Sequence, residues 1–193
     1  MMIDLAYDGD AVARCGWCGD DPLYRAYHDE EWGREKRGDD SLFELLSLEG
    51  FQAGLSWLTI LRKRESFRQA FAGFSISQVA EFDEAEVERL LGDAGIVRHR
   101  GKIEATIGNA VAALELSEGL SRFVWGFAPP RRPARPTGMG DLPAATPEST
   151  ALSKELKRRG FGFVGPTTVY AFMQSAGMVD DHIEGCFVAT EPQ

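Results

Sequence analysis

The stretch Gly160-Phe161-Gly162-Phe163-Val164-Gly165-Pro166-Thr167 decides the fold. Its three closely spaced glycines permit a tight turn, and both flanks read as helix. Upstream, Leu152 and Leu156 mark an apolar face that stops at Gly160. Downstream, Val169, Phe172, Met173 and Ala176 mark a second face that stops at Gly177. A helix that opens after such a turn presents unpaired N–H groups, and a phosphate docks there with help from the helix dipole. Lys157, Arg158 and Arg159 lie immediately before the turn. An ordinary helix–helix connection has the same outline, so this motif by itself does not fix a function.

Outward from the hairpin the pattern stays helical. Ser41-Leu42-Phe43-Glu44 has the spacing of a capping box and opens a segment carrying Leu42, Leu45, Leu46 and Glu49. Asp83 and Glu86 repeat that spacing ahead of Val87, Leu90 and Leu91. Ile103, Ile107, Val111 and Leu114 recur at helical steps and predict an amphipathic face. No sustained alternation of apolar and polar residues and no Asn-Gly turn is present, so no sheet is expected. Six of the nine prolines fall within Pro129–Pro147, and residues 128–148 are read as an irregular surface connection. The 193 residues are expected to form one domain, with residues 1–13 flexible.

Composition narrows the class. Hydrophobic residues make up 44% and charged residues 26%, an ordinary globular balance. No apolar run approaches the ~18 residues of a membrane span, and acids occupy the start where a signal peptide needs bases. An odd number of cysteines, three, suits a reducing compartment. The expectation is a soluble, cytoplasmic monomer with no membrane partner. The net charge of -9 argues at first against nucleic acid, but the charge is unevenly spread. Residues 1–50 hold 13 acids and 5 bases, whereas residues 89–159 hold 12 bases and 7 acids. Two basic clusters, Arg98–Lys102 and Lys154–Arg159, are either solvated helix ends or a local DNA footprint.

Two constellations carry chemistry. Cys15 and His28 lie near one end of the chain, and His182 and Cys186, four apart, near the other. Two thiolates and two imidazoles form the closed tetrahedral set of structural zinc. Cys18, in Cys15-Gly16-Trp17-Cys18, can take the place of His28 in such a set. The second constellation gathers Trp17, Tyr24, Tyr27, Trp32, Glu49, Gln52 and Trp57. Aromatic faces attract positive charge, and a partly desolvated carboxylate does so more strongly, so a flat cation is a fitting ligand.

Several strings together resemble the 3-methyladenine DNA glycosylase I family of the helix-hairpin-helix superfamily. They are Arg14-Cys15-Gly16-Trp17, Tyr27-His28-Asp29, Glu31-Trp32-Gly33, Leu48–Trp57, Ala94–Ile103, Gly160–Thr167, Asp181-His182 and Gly185-Cys186. The resemblance covers residues 14–187 in order. It implies an all-α helix-hairpin-helix bundle in which one structural zinc, on Cys15, His28, His182 and Cys186, joins the two ends of the chain. Cys18 is then a bystander. It implies a monofunctional hydrolase that flips 3-methyladenine out of alkylated double-stranded DNA and cuts its N-glycosidic bond. Glu49 would be catalytic, with Tyr27 and Trp57 on the base and Trp17, Tyr24, Trp32 and Gln52 nearby. Gly54 and Leu55 would press into the duplex, while Gly162, Gly165 and Thr167 grip its backbone and Lys157 and Arg158 steer it. Asp180, where superfamily relatives carry a catalytic aspartate, is expected instead to cap a helix or orient His182. A zinc-stabilised DNA-binding module without catalysis is the alternative reading of the same residues.

Overall fold

The computed structural model describes residues 5–7, 12–132 and 134–188. Two strands, β1 (Leu5–Tyr7) and β2 (Ala13–Cys15), pair antiparallel with Leu5 opposite Cys15. The body is helical: α1 (Pro22–Glu30), α2 (Asp39–Gln52), α3 (Trp57–Ala70), α4 (Ile76–Val79), α5 (Glu84–Gly92), α6 (Arg100–Leu114), α7 (Leu120–Trp125), α8 (Pro147–Arg158) and α9 (Pro166–Ser175). The helical expectation holds for this body, and the ribbon is the exception to it. Strands of three residues are too short to display alternation, so the pattern gave no sign of them. Part of the N-terminal segment expected to be flexible, Leu5–Tyr7, is thus paired; residues 1–4 and 8–11 lie outside the described residues.

Helix starts follow local chemistry. Asp21 caps α1 by accepting from the N–H groups of Leu23 and Tyr24, with Pro22 at the first helical position. Ser56, Asp83, His99 and Thr146 cap α3, α5, α6 and α8 in the same way. The capping box expected at Ser41 is not formed. Helix α2 begins three residues earlier, with Gly38 rather than Ser41 at its N-cap; Ser41 Oγ donates to Gly38 O, and Glu44 accepts from Arg68. Asp39 and Asp40 take the first turn because each also serves a neighbouring helix. Asp39 accepts from Ser121 N at the start of α7, and Asp40 from Ile76 N at the start of α4.

Helix α2 is the axis of the molecule. Leu42, Phe43 and every residue from Leu45 to Phe51 are buried, as a helix surrounded on all sides requires. It packs against α3, α6, α7 and α9. On one flank Phe51, Phe67, Phe71 and Phe74 form a cluster, with Phe51 and Phe67 tilted at 4.7 Å between centroids and Phe71 and Phe74 stacked at 5.5 Å. Helix α6 is rotated from the expected face: Ile103 is buried, but Val111 and Leu114 are exposed. Its inner side instead runs through Lys102, Ile103, Thr106, Asn109, Ala110 and Ala113. Three polar side chains turned inward, each hydrogen-bonded, shift the reading of its period.

The proline-rich connection is irregular but anchored, and it ends at Thr146, since Pro147 opens α8. Arg132 pairs with Asp181, Arg135 with Asp180, and Glu184 N donates to Pro136 O. Among the described residues no helix is long and apolar enough to cross a membrane. Phe71 sits fully buried at the centre of the phenylalanine cluster. Phe71→Ala should therefore cost about 3–5 kcal/mol, read in urea as a lower midpoint at unchanged slope. A loss below about 1 kcal/mol would show that this ring does not anchor the core.

Candidate active site and metal centre

The ribbon, α1 and the segment after α9 bring four ligand atoms together. Cys15, His28, His182 and Cys186 are all buried, with their ligand atoms within 4.8 Å of one another. Cys15 Sγ and Cys186 Sγ each lie 3.6 Å from His182 Nδ1, and Cys186 Sγ lies 3.4 Å from His28 Nε2. A tetrahedral ion bound at about 2.3 Å by sulfur and about 2.1 Å by nitrogen has S···N edges of about 3.6 Å. The donor set therefore fits a structural metal ion. Cys18 is buried but stands outside the cluster, its Sγ 4.0 Å from Gly19 O.

Outer partners fix the imidazoles, as metal-bound histidines require. His28 Nδ1 meets Asp29 Oδ1 at 2.7 Å, and Arg14 holds that carboxylate. His182 Nε2 donates to Trp32 O at 3.3 Å. A Cβ at Gly33, where φ is +75°, would lie 3.0 Å from His182 Nε2, so this approach requires glycine. Asp180 fills only part of the role expected of it. Its Oδ1 accepts from the His182 backbone N–H, and Oδ2 accepts from Arg135. The acceptor for the ring is a backbone carbonyl instead.

Beside the cluster lies a cavity of about 200 Å³ whose lining includes all seven aromatic and polar residues singled out in the sequence. Trp17 links it to the metal ligands: its ring lies 4.9 Å from Trp32 and 5.2 Å from His28. Tyr27 and Trp57 meet at 5.5 Å. Glu49, on α2, is 3% exposed and accepts from Ser175 Oγ at 2.8 Å, while Tyr27 Oη donates to Ser175 Oγ at 3.2 Å. Burial pushes the Glu49 carboxyl up to about 8, against the opposing pull of the Ser175 hydroxyl. Burial, and then the nearby Glu49, also raise Tyr27. The buried Trp57 Nε1 has no hydrogen-bond partner among the described residues.

Sequence reasoning missed Met139, Leu142, Ala171, Gln174 and Ser175, which complete the lining. Ser175 left a trace, since it lies three residues after the buried Phe172 on the inner side of α9. Met139 and Leu142 left none, because the connection that carries them has no period.

Of the residues expected to meet DNA, the two loops lie near one end of α2. Gly54 and Leu55 lie in the turn between α2 and α3, with Leu55 43% exposed. The 160–165 hairpin approaches the same end of α2, where a Cβ on Gly50 would lie 3.6 Å from Phe163 Cβ. Gly165 precedes α9 without a side-chain cap, and Thr167 is exposed in its first turn. Lys157 is exposed, whereas Arg158 is paired with Glu155.

The methyladenine glycosylase family model matches residues 17–189. The chain is 51% identical over 179 residues to DNA-3-methyladenine glycosylase 1 of Escherichia coli, covering 91% of this chain and 96% of that protein. It is 44% identical over 179 residues to DNA-3-methyladenine glycosylase of Haemophilus influenzae, covering 91% and 97%. A crystal structure of 3-methyladenine DNA glycosylase I matches with a TM-score of 0.87 at 49% identity, covering 90% of this chain and 98% of that one.

The position of Glu49 has a consequence for stability. The unfolded chain releases this proton near the ordinary value of 4.5, whereas the folded cavity holds it up to about 8. Between those values the folded state binds more protons, so stability falls as pH rises through that window. Glu49→Gln removes the penalty. The melting temperature of Glu49→Gln should exceed that of the parent by more at pH 8.5 than at pH 5. A difference that does not change with pH would show that the carboxyl is not held neutral.

Proposed function

We infer that this chain, which belongs to the methyladenine glycosylase family, is a base-excision repair enzyme that hydrolyses the N-glycosidic bond of 3-methyladenine in alkylated DNA. One observation carries the reading: a single carboxyl buried among aromatic rings, in a cavity lined by Gln52 just before the exposed Leu55. The glycosidic bond is inaccessible inside the stack, so the nucleotide must swing out. Leu55 is the apolar wedge that fills the gap, at the exposed turn begun by Gly54. The N–H groups around Gly165 and Thr167 hold a phosphate, at the turn that Gly162 shapes, and Lys157 and Arg158 add steering charge. The partner is alkylated double-stranded DNA, met by a monomer.

Methylation at N3 gives the base a positive charge. Cleavage of C1′–N9 sends the bonding pair into that ring, and 3-methyladenine departs neutral. Tyr27 and Trp57 face the flat cation, within the wall made by Trp17, Tyr24, Trp32 and Gln52. A cation in the cavity favours the ionised form of Glu49, which then accepts a charge-assisted hydrogen bond from the base edge. Such bonds are about twice as strong as neutral ones, so unmethylated adenine is disfavoured. The entering base thus drives the Glu49 proton to solvent. Water then supplies the new C1′–O bond, and its surplus proton returns to Glu49, restoring the protonated resting state. One proton is released per turnover.

We assign zinc to the metal centre, held by Cys15, His28, His182 and Cys186. With four protein ligands it supplies cohesion, without redox chemistry or an open coordination position. It closes the long loop between the first and last described segments, where closure entropy is greatest.

Glu49→Gln should lower excision from alkylated duplex by at least about 100-fold, the range expected for a positioned proton acceptor. Affinity for undamaged duplex should stay within about twofold. Excision at the parental rate would remove Glu49 from the chemistry. Metal analysis should return one zinc per chain, and Cys186→Ser should lose it and melt several degrees lower. Full retention of the metal by Cys186→Ser would exclude that ligand.

A further inference from the structure

Helix α6 grips both loops that the excision reading assigns to DNA. Near its start Lys102, 7% exposed, donates to Phe51 O at 2.9 Å and to Ala53 O at 2.7 Å. These carbonyls end α2, where the helix dipole favours a cation, and they immediately precede Gly54 and Leu55. Two turns later Asn109, 4% exposed, takes both backbone groups of a single hairpin residue. Its Nδ2 donates to Gly162 O at 3.1 Å, and Gly162 N donates to its Oδ1 at 2.7 Å. The fit is close: a Cβ on Gly162 would lie 3.1 Å from Ala105 Cβ. The adjoining Phe163, at φ +54°, has its ring 6.0 Å from His99, the cap of α6.

Neither Lys102 nor Asn109 is among the residues lining the aromatic cavity. Nor does cohesion explain them well. Burying an ammonium is costly even when its partners are good, and an apolar side chain of similar length packs without that cost. What the lysine adds over an apolar residue is direction, since one cation fixes two carbonyls at the point where α2 gives way to the wedge. The asparagine adds the same, because a paired donor and acceptor specify the hairpin's orientation as well as its distance. Seven residues separate them, about 10 Å along a helix, so both lie on one side of a rigid rod.

We propose that Lys102 and Asn109 are positioning residues that fix the spacing between the Leu55 wedge and the phosphate-gripping hairpin, with α6 as the strut between them. The proposal rests on the excision reading above. A nucleotide is extruded efficiently only if the wedge meets the stack while the hairpin holds the backbone. Loosening the wedge should therefore affect the bound complex, and loosening the hairpin should affect its formation.

The test compares Lys102→Met, Asn109→Ala, Leu55→Ala and the Lys102→Met/Leu55→Ala double variant. Each is assayed for 3-methyladenine release from alkylated duplex and for binding of free 3-methyladenine, followed by tryptophan fluorescence. Lys102→Met should lower kcat tenfold or more while KM and free-base affinity stay within twofold. Asn109→Ala should instead raise KM tenfold or more. Adding Lys102→Met to Leu55→Ala should cost less than a further twofold, since the lysine acts through the wedge. Should Lys102→Met fail to fold, Lys102→Gln, which keeps N–H donors without the charge, should show the same loss in kcat at smaller size. Parental kcat in the folded lysine variant overturns the proposal. So do a parallel loss of free-base binding and losses that multiply in the double variant. Failure of the parent to release base at all would instead sink the excision reading, a separate result.

Discussion

A carboxyl group enclosed by aromatic rings constrains everything around it. Away from water an ionised carboxylate is strongly disfavoured unless charge or hydrogen bonds answer it. Glu49 receives the hydroxyl of Ser175, which in turn receives that of Tyr27. This arrangement tolerates a neutral acid and leaves the charged form waiting for a cation. It also requires that α2, α9 and α1, which carry the three residues, keep a fixed relation. Helix α2 meets that demand by being buried on nearly every side and tied at both ends: Asp39 and Asp40 cap neighbouring helices, and Lys102 holds its last carbonyls.

The metal centre belongs to the same constraint. Its ligands build no part of the cavity, yet its wall depends on them. The Trp32 carbonyl accepts from His182, and the Trp32 ring lies 4.7 Å from that imidazole. Trp17 follows Cys15 by two residues and packs against His28. Two of the aromatic walls are thus set by the cluster that joins the chain's ends. Met139 and Leu142 line the cavity and also pack on the buried group formed by Cys15, Ile183, Cys186 and Val188. Loss of any of these four side chains would therefore reach the cavity through packing.

Much of this was legible in the sequence because it was written in residue types with few other uses. Two cysteine–histidine pairs, a glycine-spaced hairpin and a concentration of tryptophan and tyrosine around one glutamate each narrow the chemistry sharply. The structure gathers those residues as the spacing and the family resemblance implied. The misses share a physical cause. Val111 and Leu114 mark the wrong face of α6 because Lys102, Thr106 and Asn109 turn inward to hydrogen-bond partners that no sequence pattern announces. Ser41 has the right spacing for a cap, but tertiary contacts of Asp39 and Asp40 move the helix start. Contacts supplied by an aperiodic segment, such as Met139 and Leu142, leave nothing to read.

The charge distribution, which at first argued against DNA, resolves at the same level. The acidic first fifty residues meet the arginines of α3: Arg62 pairs with Asp21, Arg64 with Glu31 and Arg68 with Glu44. The more exposed of these pairs, such as Arg62–Asp21, add little stability, about 0–1 kcal/mol, but together the three neutralise charge on that face locally. Arg100, which looked like part of a DNA footprint, is likewise engaged by Glu84 and Glu104. Beyond about 8–10 Å at physiological salt, solvent-exposed charges barely interact. At the hairpin the local N–H groups and cations therefore set the potential, and the sum of -9 over the whole chain has little influence there.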